Sequence, residues 1–443
     1  MTLAARLRPL LGDLLVIDGA KIFAVNIAGA GLAFVSHILF ARWLSVESYG
    51  TYVFALSWLN VLCIAVQAGM NLSVIRLIAE YRANGNRTAM QRLIKVSNFV
   101  VLTLGSATII FGTAIVFWAL SSASDEMRMT LYLALALTVV MALIQQRTAV
   151  LHGLEKVVQS VVAFEIARPV ILLAAVFIAS RLLTVDATLL MSVNLAVSTG
   201  FLILFMIYAR LCILAQAQAP DQPVPHWRHW LNVSLPYIAV TGLTILLTQM
   251  DILMIGHMLG TEAAGLYAPA AKVALLAIFP VVAIRQRFGP MAARMFAEKA
   301  VDALQNRMNT ATLLSIIACL GVLAFILPGR DFILGLFGPE YLPGESAVLI
   351  LATGYLIYSI MGAAEMFFLV GPFERLNALV VSVTLILNLM LNFLLIPPFG
   401  IEGAAMATIT AIVFRSMIAA IMVHRRTGLL PWTRVPRERE SLS

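Results

Sequence analysis

Seven ionisable side chains lie within the long apolar runs of this 443-residue sequence, more than two residues from either end of a run. They are His37, Glu165, Arg168, Asp251, Lys272, Glu365 and Arg415. A charge at the middle of a membrane-spanning helix costs about 2.5–3.5 kcal/mol on insertion scales, so these residues are expected to face protein or water instead of lipid. Buried cations suit the binding of an anionic substrate, and carboxylates or histidine suit the carriage of protons or sodium ions. The seven residues are therefore the candidate functional groups.

The three cations are the candidates for substrate binding. Lys272 lies between two prolines and has no acidic neighbour at helical spacing, which makes it the first choice for contact with an anion. Arg168 follows Glu165 by three residues, so an i,i+3 ion pair that neutralises both charges is an alternative to a role in a cavity. Arg415 lies deep in its apolar run, although a guanidinium also reaches the membrane surface by snorkelling.

The remaining four residues are candidates for coupling or gating. Asp251 and His37 are candidates to bind protons or sodium ions. Asp251 is alternatively a gate or a salt-bridge partner between the two halves of the chain. Glu165 belongs to this group if Arg168 does not neutralise it. Glu365 lies near the end of its run and close to Arg375, which favours a structural pairing there.

Other polar groups favour structural roles. Asn388 and Asn392 are spaced i,i+4 inside one apolar run, a pattern typical of hydrogen bonds between membrane helices. The three cysteines are scattered, without CxxC spacing. They predict neither a disulfide framework nor a metal site, and no cofactor is expected.

The elements that must hold these residues are membrane helices. Hydrophobic residues make up 61% of the chain and charged residues 12%, against about 45–50% and 25% in soluble domains. Twelve apolar runs approach the roughly 20 residues that a helix needs to cross a bilayer. They cover about 22–41, 49–73, 96–120, 129–146, 157–180, 187–209, 232–258, 265–284, 308–328, 346–370, 376–397 and 401–423. The sequence predicts an all-α membrane protein with twelve transmembrane helices.

An internal repeat divides these helices into two sets of six. With an offset of 215 positions and no gaps, Leu259, Glu262, Gly265 and Tyr267 fall on Leu44, Glu47, Gly50 and Tyr52. An even number of spans per copy makes the repeat parallel, with its pseudo-twofold axis along the membrane normal, and a working site is expected in a shared cavity. The predicted parts are a cytoplasmic amphipathic leader, an N-terminal lobe, a cytoplasmic linker, a C-terminal lobe and a cytoplasmic tail, covering 1–21, 22–209, 210–231, 232–424 and 425–443.

The basic residues set the orientation. With a cytoplasmic N-terminus, 23 of the 30 lysines and arginines fall on inner segments and four on outer loops. This asymmetry predicts that both termini are cytoplasmic. The net charge of +8 is spread over separate short loops without a basic stripe, so nucleic acid is not an expected partner. Attraction to anionic membrane lipid explains the positive net charge better.

Four stretches resemble one family. TQMDILMIGHMLGTEAAGLYAPAAKV, FGPEYLPGESAVLILATGYL, LNLMLNFLLIPPFGIEGAAMATI and ARWLSVESYGTYVFALS are similar to segments of the polysaccharide flippases of the multidrug/oligosaccharidyl-lipid/polysaccharide exporter superfamily, the Wzx-type O-antigen transporters. The resemblance implies a V-shaped pair of six-helix bundles with a cavity that basic residues line. By residue type, Arg168, Lys272 and Arg415 are the positions that fit that role.

The resemblance also implies a function. Such a protein moves an undecaprenyl-diphosphate-linked oligosaccharide by alternating access from the cytoplasmic to the periplasmic or outer leaflet of the bacterial inner membrane. The oligosaccharide then serves the synthesis of a surface polysaccharide, such as lipopolysaccharide O-antigen or exopolysaccharide. The implied partners are this lipid-linked substrate, membrane lipids, a polysaccharide polymerase and glycosyltransferases, and the implied state is a monomer.

Three alternatives compete with this function. A drug or cation antiporter of the same superfamily should favour acidic cavity residues, but the seven candidate residues, which are three acids, three cations and one histidine, do not decide the matter. A peptidoglycan-precursor flippase is expected to have two additional spans. A membrane enzyme needs catalytic acids or histidines on a sizeable aqueous loop, whereas the short outer loops offer only isolated ones such as Asp125, Glu126 and Glu340. The chain is therefore not expected to be an enzyme.

Overall fold

The structure is a computed structural model that describes the backbone of residues 3–218, 223–370 and 373–429. Side chains are described in these ranges from residue 21 onward, except at 239, 240, 370, 374 and 375. Side chains of the predicted leader before Lys21, residues 219–222 of the predicted linker and the predicted tail from 430 onward lie outside the described residues. All regular secondary structure in the described ranges is helical.

The first half of the described chain forms helices α1 to α8. They are α1 (Leu3–Trp43), α2 (Val46–Gln67), α3 (Met70–Ala83), α4 (Arg87–Ala119), α5 (Asp125–Gly153), α6 (Val157–Val161), α7 (Arg168–Ala179) and α8 (Ala187–Leu214). A π-helical turn, Val162–Ala167, joins α6 to α7, so the two helices make one span, Val157–Ala179.

The second half of the described chain forms helices α9 to α15. They are α9 (Trp227–Met258), α10 (Thr261–Leu275), α11 (Phe279–Ala297), α12 (Val301–Ile326), α13 (Arg330–Gly335), α14 (Glu345–Val370) and α15 (Glu374–Thr427). Short 3₁₀ turns, Leu276–Ile278 and Pro339–Gly344, precede α11 and α14.

Ten helices of the described chain are long and apolar enough to cross a membrane, and the broken helix α9 makes an eleventh span. The last of them, Leu376–Thr427, has 52 residues, more than twice the roughly 20 that one crossing needs. Gly400 breaks it with φ +60° and ψ −135°, a conformation that glycine adopts without a steric penalty. The two arms, 374–399 and 401–427, are each long enough to span. The predicted all-α membrane fold is confirmed, and the predicted twelve spans agree with these helices.

Helix boundaries follow the repeat seen in the sequence. Helix α1 ends at Trp43 and α9 ends at Met258, while α2 begins at Val46 and α10 begins at Thr261. Both pairs of boundaries are 215 positions apart. The equal spacing indicates that the two halves of the chain fold with the same helical register, as expected for a duplicated module.

The chain divides into two compact units, Met1–Gly242 and Leu243–Ser443. The division therefore falls within α9, whereas the sequence suggested a linker at 210–231. Helix α8 ends at Leu214 and α9 begins at Trp227, so the described part of that linker between these two helices is not helical.

The first half of α9 belongs to the first unit because it packs on α3. Trp230 Nε1 donates a hydrogen bond to the Tyr81 hydroxyl at 2.7 Å, and the hydroxyls of Ser73 and Ser234 lie 2.6 Å apart. Gly69 has φ +72°, and a Cβ at this position would overlap the carbonyl oxygen of Ser234. Glycine at residue 69 thus permits both the turn before α3 and the close approach of α9.

Exposed apolar side chains support a lipid-facing exterior. Phe111 is 69% exposed, Trp118 78% and Phe325 75%. Water disfavours such surfaces when they are extensive, whereas the hydrocarbon of a bilayer does not. The buried residues, by contrast, include many of the polar side chains described below.

Candidate functional site

A polar cluster in the first unit surrounds Arg168 and one of the repeated tyrosines. Arg168 Nη2 donates to Asn194 Oδ1 at 2.7 Å and to Ser198 Oγ at 3.1 Å, and its Nε donates to Ser198 Oγ at 3.2 Å. Asn194 Nδ2 in turn donates to the Tyr52 hydroxyl at 3.3 Å. We call these four residues the Arg168 cluster. All hydrogen-bond partners described for the guanidinium are neutral oxygen atoms, so its charge is not cancelled by them.

A π-helical turn places Arg168 at the start of α7. Pro169 lacks an amide hydrogen and its ring collides with the carbonyl four residues earlier, which disfavours a regular α-helix at this point. The backbone instead forms the turn Val162–Ala167, and π-bulges of this kind occur frequently at functional sites. Arg168 therefore follows a local irregularity that its own neighbouring proline explains.

The alternative of an i,i+3 pair between Glu165 and Arg168 is not formed as a direct ion-pair contact among the described residues, although the two charges lie near enough to attract each other. The π-helical turn Val162–Ala167 contains Glu165 and ends one residue before Arg168, so the two residues do not share a regular α-helical turn. Glu165 packs instead against α1, where a Cβ added at Gly29 would lie 2.8 Å from Glu165 Cβ. Glu165 thus lies beside α1, and Arg168 lies over the ring of Phe164 at 5.6 Å.

His37 lies at the contact between α1 and α2 of the first unit. Its Nδ1 is 3.0 Å from the Tyr49 hydroxyl, and its ring meets those of Tyr49 and Phe40 edge-on, with centroids 6.2 and 6.4 Å away. The residue 215 positions before Asp251 is Ser36, whose hydroxyl donates to the Leu32 carbonyl at 2.7 Å. The structure therefore keeps His37 outside the Arg168 cluster.

The second unit holds a polar cluster around Asp251 and the other repeated tyrosine. The Tyr267 hydroxyl donates to Asp251 Oδ2 at 2.8 Å, Asn392 Nδ2 donates to Asp251 Oδ1 at 3.0 Å, and Thr408 Oγ1 also donates to Asp251 Oδ2. Asn392 Nδ2 donates to Asn388 Oδ1 as well, at 3.2 Å. We call these five residues the Asp251 cluster. Asp251 is only 8% exposed, so three hydrogen bonds replace the water that its carboxylate has lost.

The salt-bridge role expected of Asp251 is not what the structure describes. Its three described hydrogen-bond donors are uncharged and belong to its own unit. Asn388 and Asn392 do form interhelical hydrogen bonds, as their spacing predicted: Asn392 reaches Asp251 on α9, and Asn388 Nδ2 lies 3.5 Å from Thr408 Oγ1 across the break in α15. Both asparagines are fully buried, so they serve the carboxylate as well as the packing.

Glu365 joins two arginines in a second cluster of the second unit. Arg415 Nη2 donates to Glu365 Oε1, Arg285 Nη2 lies 3.6 Å from the same oxygen, and Ser416 Oγ donates to Oε2 at 3.0 Å. Arg285 also lies over the ring of Tyr358, 4.9 Å from its centroid. We call Glu365, Arg285, Arg415 and Ser416 the Glu365 cluster. Its one carboxylate faces two guanidinium groups, so the cluster carries one excess positive charge.

Two donor atoms in the Glu365 cluster lack partners. Nε of Arg285 and Nε of Arg415 are buried and make no hydrogen bond among the described residues. Unpaired buried donors cost about 1–3 kcal/mol each. Together with the excess charge, they make this cluster attractive to an anion.

Lys272 lies on α10 and is partly buried. No hydrogen bond or ion pair is found for its ammonium group in the described part of the chain. The structure does not bring Lys272 into the Arg168, Asp251 or Glu365 hydrogen-bond networks.

Arg285 is not among the candidates predicted from the sequence. It directly follows the predicted apolar run 265–284, which assigns it to an inner segment, but it lies on α11 and is 8% exposed. The same helix also buries Val281, Phe288 and Ala292. These residues lie 4, 3 and 7 positions from Arg285, which is the spacing of one helical face. Helical periodicity through residue 292 is thus the signal that separates Arg285 from its exposed neighbours.

No group of three or more His, Cys, Asp or Glu residues that suits a metal ion is found in the described chain. The Asp251 cluster contributes one carboxylate with amide and hydroxyl groups. Its chemistry is that of hydrogen bonding and of a proton or a hard monovalent cation.

Two repeated helical units with charged clusters inside their spans define a polytopic membrane protein. Residues 16–296 match the family model described as polysaccharide biosynthesis protein, which is more than half of the chain. The chain therefore belongs to the polysaccharide biosynthesis protein family. Its predicted resemblance to the polysaccharide flippases of the multidrug/oligosaccharidyl-lipid/polysaccharide exporter superfamily is confirmed, and the chain is a transporter and not an enzyme.

Individual proteins show the same relationship. The chain is 25% identical over 415 residues to the probable low-salt glycan biosynthesis flippase Agl15 of Haloferax volcanii. The aligned region covers 90% of this chain and 81% of that protein. An inward-facing multidrug resistance MATE family transporter of the MOP superfamily shares the fold with a TM-score of 0.75 at 14% identity, over 92% of this chain and 98% of that one.

A MOP superfamily transporter from Pyrococcus furiosus, reported for the reverse polarity of its binding pocket, also shares the fold. Its TM-score is 0.66 at 14% identity, over 92% of this chain and 95% of that chain. At these identities the structural likeness establishes the fold alone.

Proposed function

We propose that this protein is a flippase that moves a polyprenyl-diphosphate-linked oligosaccharide from the cytoplasmic to the outer leaflet by alternating access. Membership of the polysaccharide biosynthesis family and similarity to a probable glycan biosynthesis flippase support a glycan cargo. The observation that carries the proposal is the Arg168 cluster. Its guanidinium is held in a transmembrane span by neutral oxygens, so its charge remains available for a diphosphate.

Two further cationic positions support an anionic cargo. Lys272 has neither a hydrogen bond nor an ion pair within the described chain, and Arg415 shares Glu365 with Arg285. A diphosphate does not cross hydrocarbon unaided, because burial of unpaired charge is prohibitive. Fixed cations in a hydrated path replace part of the solvation that the diphosphate loses. We assign substrate binding to Arg168, Lys272 and Arg415, with Arg285 as a positioning residue.

The acidic groups and His37 are proposed to serve coupling or gating. Asp251 is the main coupling candidate, since a buried carboxylate held by hydroxyl and amide groups suits a proton or a monovalent cation. Glu365 has the different task of holding two arginines, and its protonation would release them. His37 and Glu165 lie on or beside α1 and are proposed to respond to movement of that helix.

The membrane potential is the proposed driving force. With a negative cell interior, outward movement of a negative charge is favoured by about 2.3 kcal/mol per charge per 100 mV. Bound cations cancel part of the cargo's charge, and the empty protein returns with its own positive charges drawn inward. Flipping that is indifferent to a clamped potential would reject this driving force and favour ion antiport through Asp251 or His37.

The cellular setting is also part of the proposal. We propose the bacterial inner membrane, with both termini cytoplasmic, six-helix lobes at 22–209 and 232–424, and a linker at 210–231. A monomer would receive cargo from glycosyltransferases and hand it to a polymerase for O-antigen, lipopolysaccharide or exopolysaccharide synthesis. The excess of basic residues on the predicted inner segments supports this orientation.

A cation or drug antiporter is the second candidate function. The Asp251 cluster favours it, because a buried carboxylate attracts cations, and the fold is shared with a multidrug resistance transporter. The four cations at Arg168, Lys272, Arg285 and Arg415, against three carboxylates at Glu165, Asp251 and Glu365, favour an anionic substrate instead.

Transport by purified protein in proteoliposomes separates the two functions. One set of vesicles carries a fluorescent polyprenyl-diphosphate oligosaccharide, and a membrane-impermeant quencher reports the leaflet of the label. A second set is loaded for uptake of a cationic dye against a proton or sodium gradient. Flippase function predicts label movement above that of protein-free vesicles and no gradient-dependent dye transport, and the opposite pair of results would establish the antiporter.

A further inference from the structure

A cavity in the first unit lies apart from the Arg168 cluster and has no role in the proposed transport step. It has a volume of about 500 Å³ and is formed by the beginning of α4 and the ends of α5 and α8. The proposed orientation puts this end of the unit in the cytoplasmic leaflet. Residues that line it include Lys95, Asn98, Arg147, Met206, Arg210 and Leu214.

The cavity is strongly basic. Arg147, Lys95 and Arg210 line it, and no acidic side chain is among its described lining residues. Arg147 is 4% exposed, whereas Lys95 and Arg210 are exposed. The cavity therefore has one cation in its wall below the surface and two at its accessible edge, an arrangement suited to an anion that enters from outside.

Arg147 is held in place but not satisfied. Its Nη2 donates to Asn98 Oδ1 on α4, while its Nε is buried and makes no hydrogen bond among the described residues. A buried cation without a carboxylate partner is costly. An anion in the cavity would supply the missing charge, and its oxygen atoms would accept hydrogen bonds from the guanidinium.

The rest of the lining is apolar and continues into an exposed apolar face. Met206 and Leu214 line the cavity on α8, and Ile203, Ile207 and Leu211 of the same helix are 54%, 53% and 60% exposed. These three residues recur every four positions and form one stripe beside the cavity. A ligand with an anionic head and an apolar tail matches this combination of surfaces, whereas a free inorganic anion uses only the first.

We propose that this cavity binds the phosphate headgroup of an anionic membrane phospholipid, whose acyl chains lie along the exposed stripe of α8. Basic pockets between membrane helices at the cytoplasmic side are a known means of recognising such headgroups. The bound lipid would join α4, α5 and α8 and stabilise the first unit. This site does not include Arg168, Lys272 or Arg415, the residues proposed to bind cargo.

Lipid titration of the purified full-length protein in detergent micelles tests this site. The melting temperature is followed as phosphatidylglycerol, phosphatidylcholine, inorganic phosphate or polyprenyl diphosphate is added. Phosphatidylglycerol is expected to raise the melting temperature of the wild type at the lowest concentration of the four. Equal effects of phosphatidylglycerol and phosphatidylcholine would overturn the proposal, as would an equal effect of inorganic phosphate or a stronger one of polyprenyl diphosphate.

Variants assign the effect to the cavity. Each surface cation near anionic lipid contributes about 1 kcal/mol, so the double variant Lys95→Gln/Arg210→Gln should weaken the apparent lipid affinity by about 25-fold. Arg147→Gln should abolish the response. Arg92→Gln, which removes an exposed cation from the same end of α4 but outside the cavity lining, is the matched control and should respond like the wild type.

The exposed pair keeps the test decisive if Arg147→Gln fails to fold. Unchanged affinity in the double variant, or an equal loss in Arg92→Gln, would contradict the site. Because the readout is lipid binding and not transport, failure of the proposed flippase function leaves the result of this titration intact.

Discussion

The Arg168 cluster and the Asp251 cluster are built on equivalent frames and carry opposite charges. Each contains one of the repeated tyrosines, Tyr52 or Tyr267, and both tyrosines are 2% exposed. In the first unit an asparagine links the tyrosine to a guanidinium. In the second unit the tyrosine hydroxyl donates directly to a carboxylate.

The difference shows what the duplication retained and what it changed. Both units kept the helix boundary before the tyrosine, at a spacing of 215 positions, and both kept uncharged hydrogen-bonding residues on their last helices. The charged residue itself differs in sign and in the helix that carries it: Arg168 opens α7, whereas Asp251 lies on α9. A shared backbone therefore supports two clusters of opposite charge.

The two charges also differ in how completely they are satisfied. Asp251 is buried and accepts three hydrogen bonds within its cluster. Arg168 is only partly buried, and its described partners are neutral. We infer that the carboxylate stabilises its unit and is positioned for coupling, while the guanidinium remains able to bind cargo.

Removal of the Asp251 carboxylate should give the largest loss of stability. Asp251→Leu removes the acceptor of the Tyr267 and Thr408 hydroxyls and leaves Asn392 with Asn388 alone, at a cost of about 2–4 kcal/mol for the set. Asp251→Asn retains one acceptor oxygen and should lose less. Thermal unfolding in detergent measures both, with Asp125→Asn at a fully exposed side chain as the control. Equal melting temperatures for Asp251→Leu and the control would show that the cluster does not stabilise the second unit.

The two tyrosines provide a matched pair for the comparison itself. Tyr267→Phe removes a hydrogen bond to a charged group, worth about 1.5–3 kcal/mol, and Tyr52→Phe removes one to a neutral amide, worth about 0.5–1.5 kcal/mol. The same deletion of one hydroxyl should therefore lower the melting temperature more in the second unit. Equal losses of melting temperature in the two variants, or a larger loss in Tyr52→Phe, would contradict a negative charge that lies beside Tyr267 and not beside Tyr52.

An exposed ion pair outside the spans should have the smallest effect. Glu155 lies 2.8 Å from Arg82 and is 78% exposed. The hydrogen bond from Arg82, aided by its charge and that of Lys156, lowers the pKa of Glu155 below its usual 4.5 despite partial desolvation. Because the folded-state pKa is lowered, the pair's stabilisation is present above the unfolded-state value and is lost as the pH falls through the folded-state value.

Solvent limits the size of that effect. Exposed pairs contribute about 0–1 kcal/mol and are screened by salt. Glu155→Gln should therefore lower stability at pH 7 by no more than this amount, and the difference from the wild type should vanish in acid. Melting curves from pH 7 down to 3 measure the difference, and a gap between the two proteins that widens in acid would contradict the ion pair.

Sequence periodicity was sufficient for the helices and the repeat but not for the polar clusters. Apolar runs and the 215-residue offset gave the spans and their register because these depend on local composition and spacing. The partners of Arg168 were not predictable, since Asn194 and Ser198 lie on another helix and resemble ordinary packing residues in the sequence. Glu165 and Arg168 likewise make no direct ion-pair contact across the π-helical turn, although their spacing on a regular helix favoured one.

Arg285 and Arg147 show the same limit for charges near helix ends. Each directly follows a predicted apolar run, 129–146 for Arg147 and 265–284 for Arg285, and both are buried in helices. A helix that continues past its apolar run still packs one face against neighbouring helices. Whether a charged residue there is buried depends on its helical face and not on its distance from the apolar run. Helical periodicity identifies Arg285, while the burial of Arg147 depends on contacts with other helices such as that with Asn98 on α4.

The initial rate of polyprenyl-diphosphate oligosaccharide flipping by Arg168→Gln, compared with Arg168→Lys and the wild type in proteoliposomes, tests the central claim most directly. Loss of charge-assisted hydrogen bonds worth about 1.5–3 kcal/mol predicts a rate about 10- to 100-fold lower for the glutamine variant, partial recovery with lysine, and no change for Arg181→Gln, which is exposed in the loop between α7 and α8. A normal rate for folded Arg168→Gln would contradict the claim that this positive charge binds the cargo.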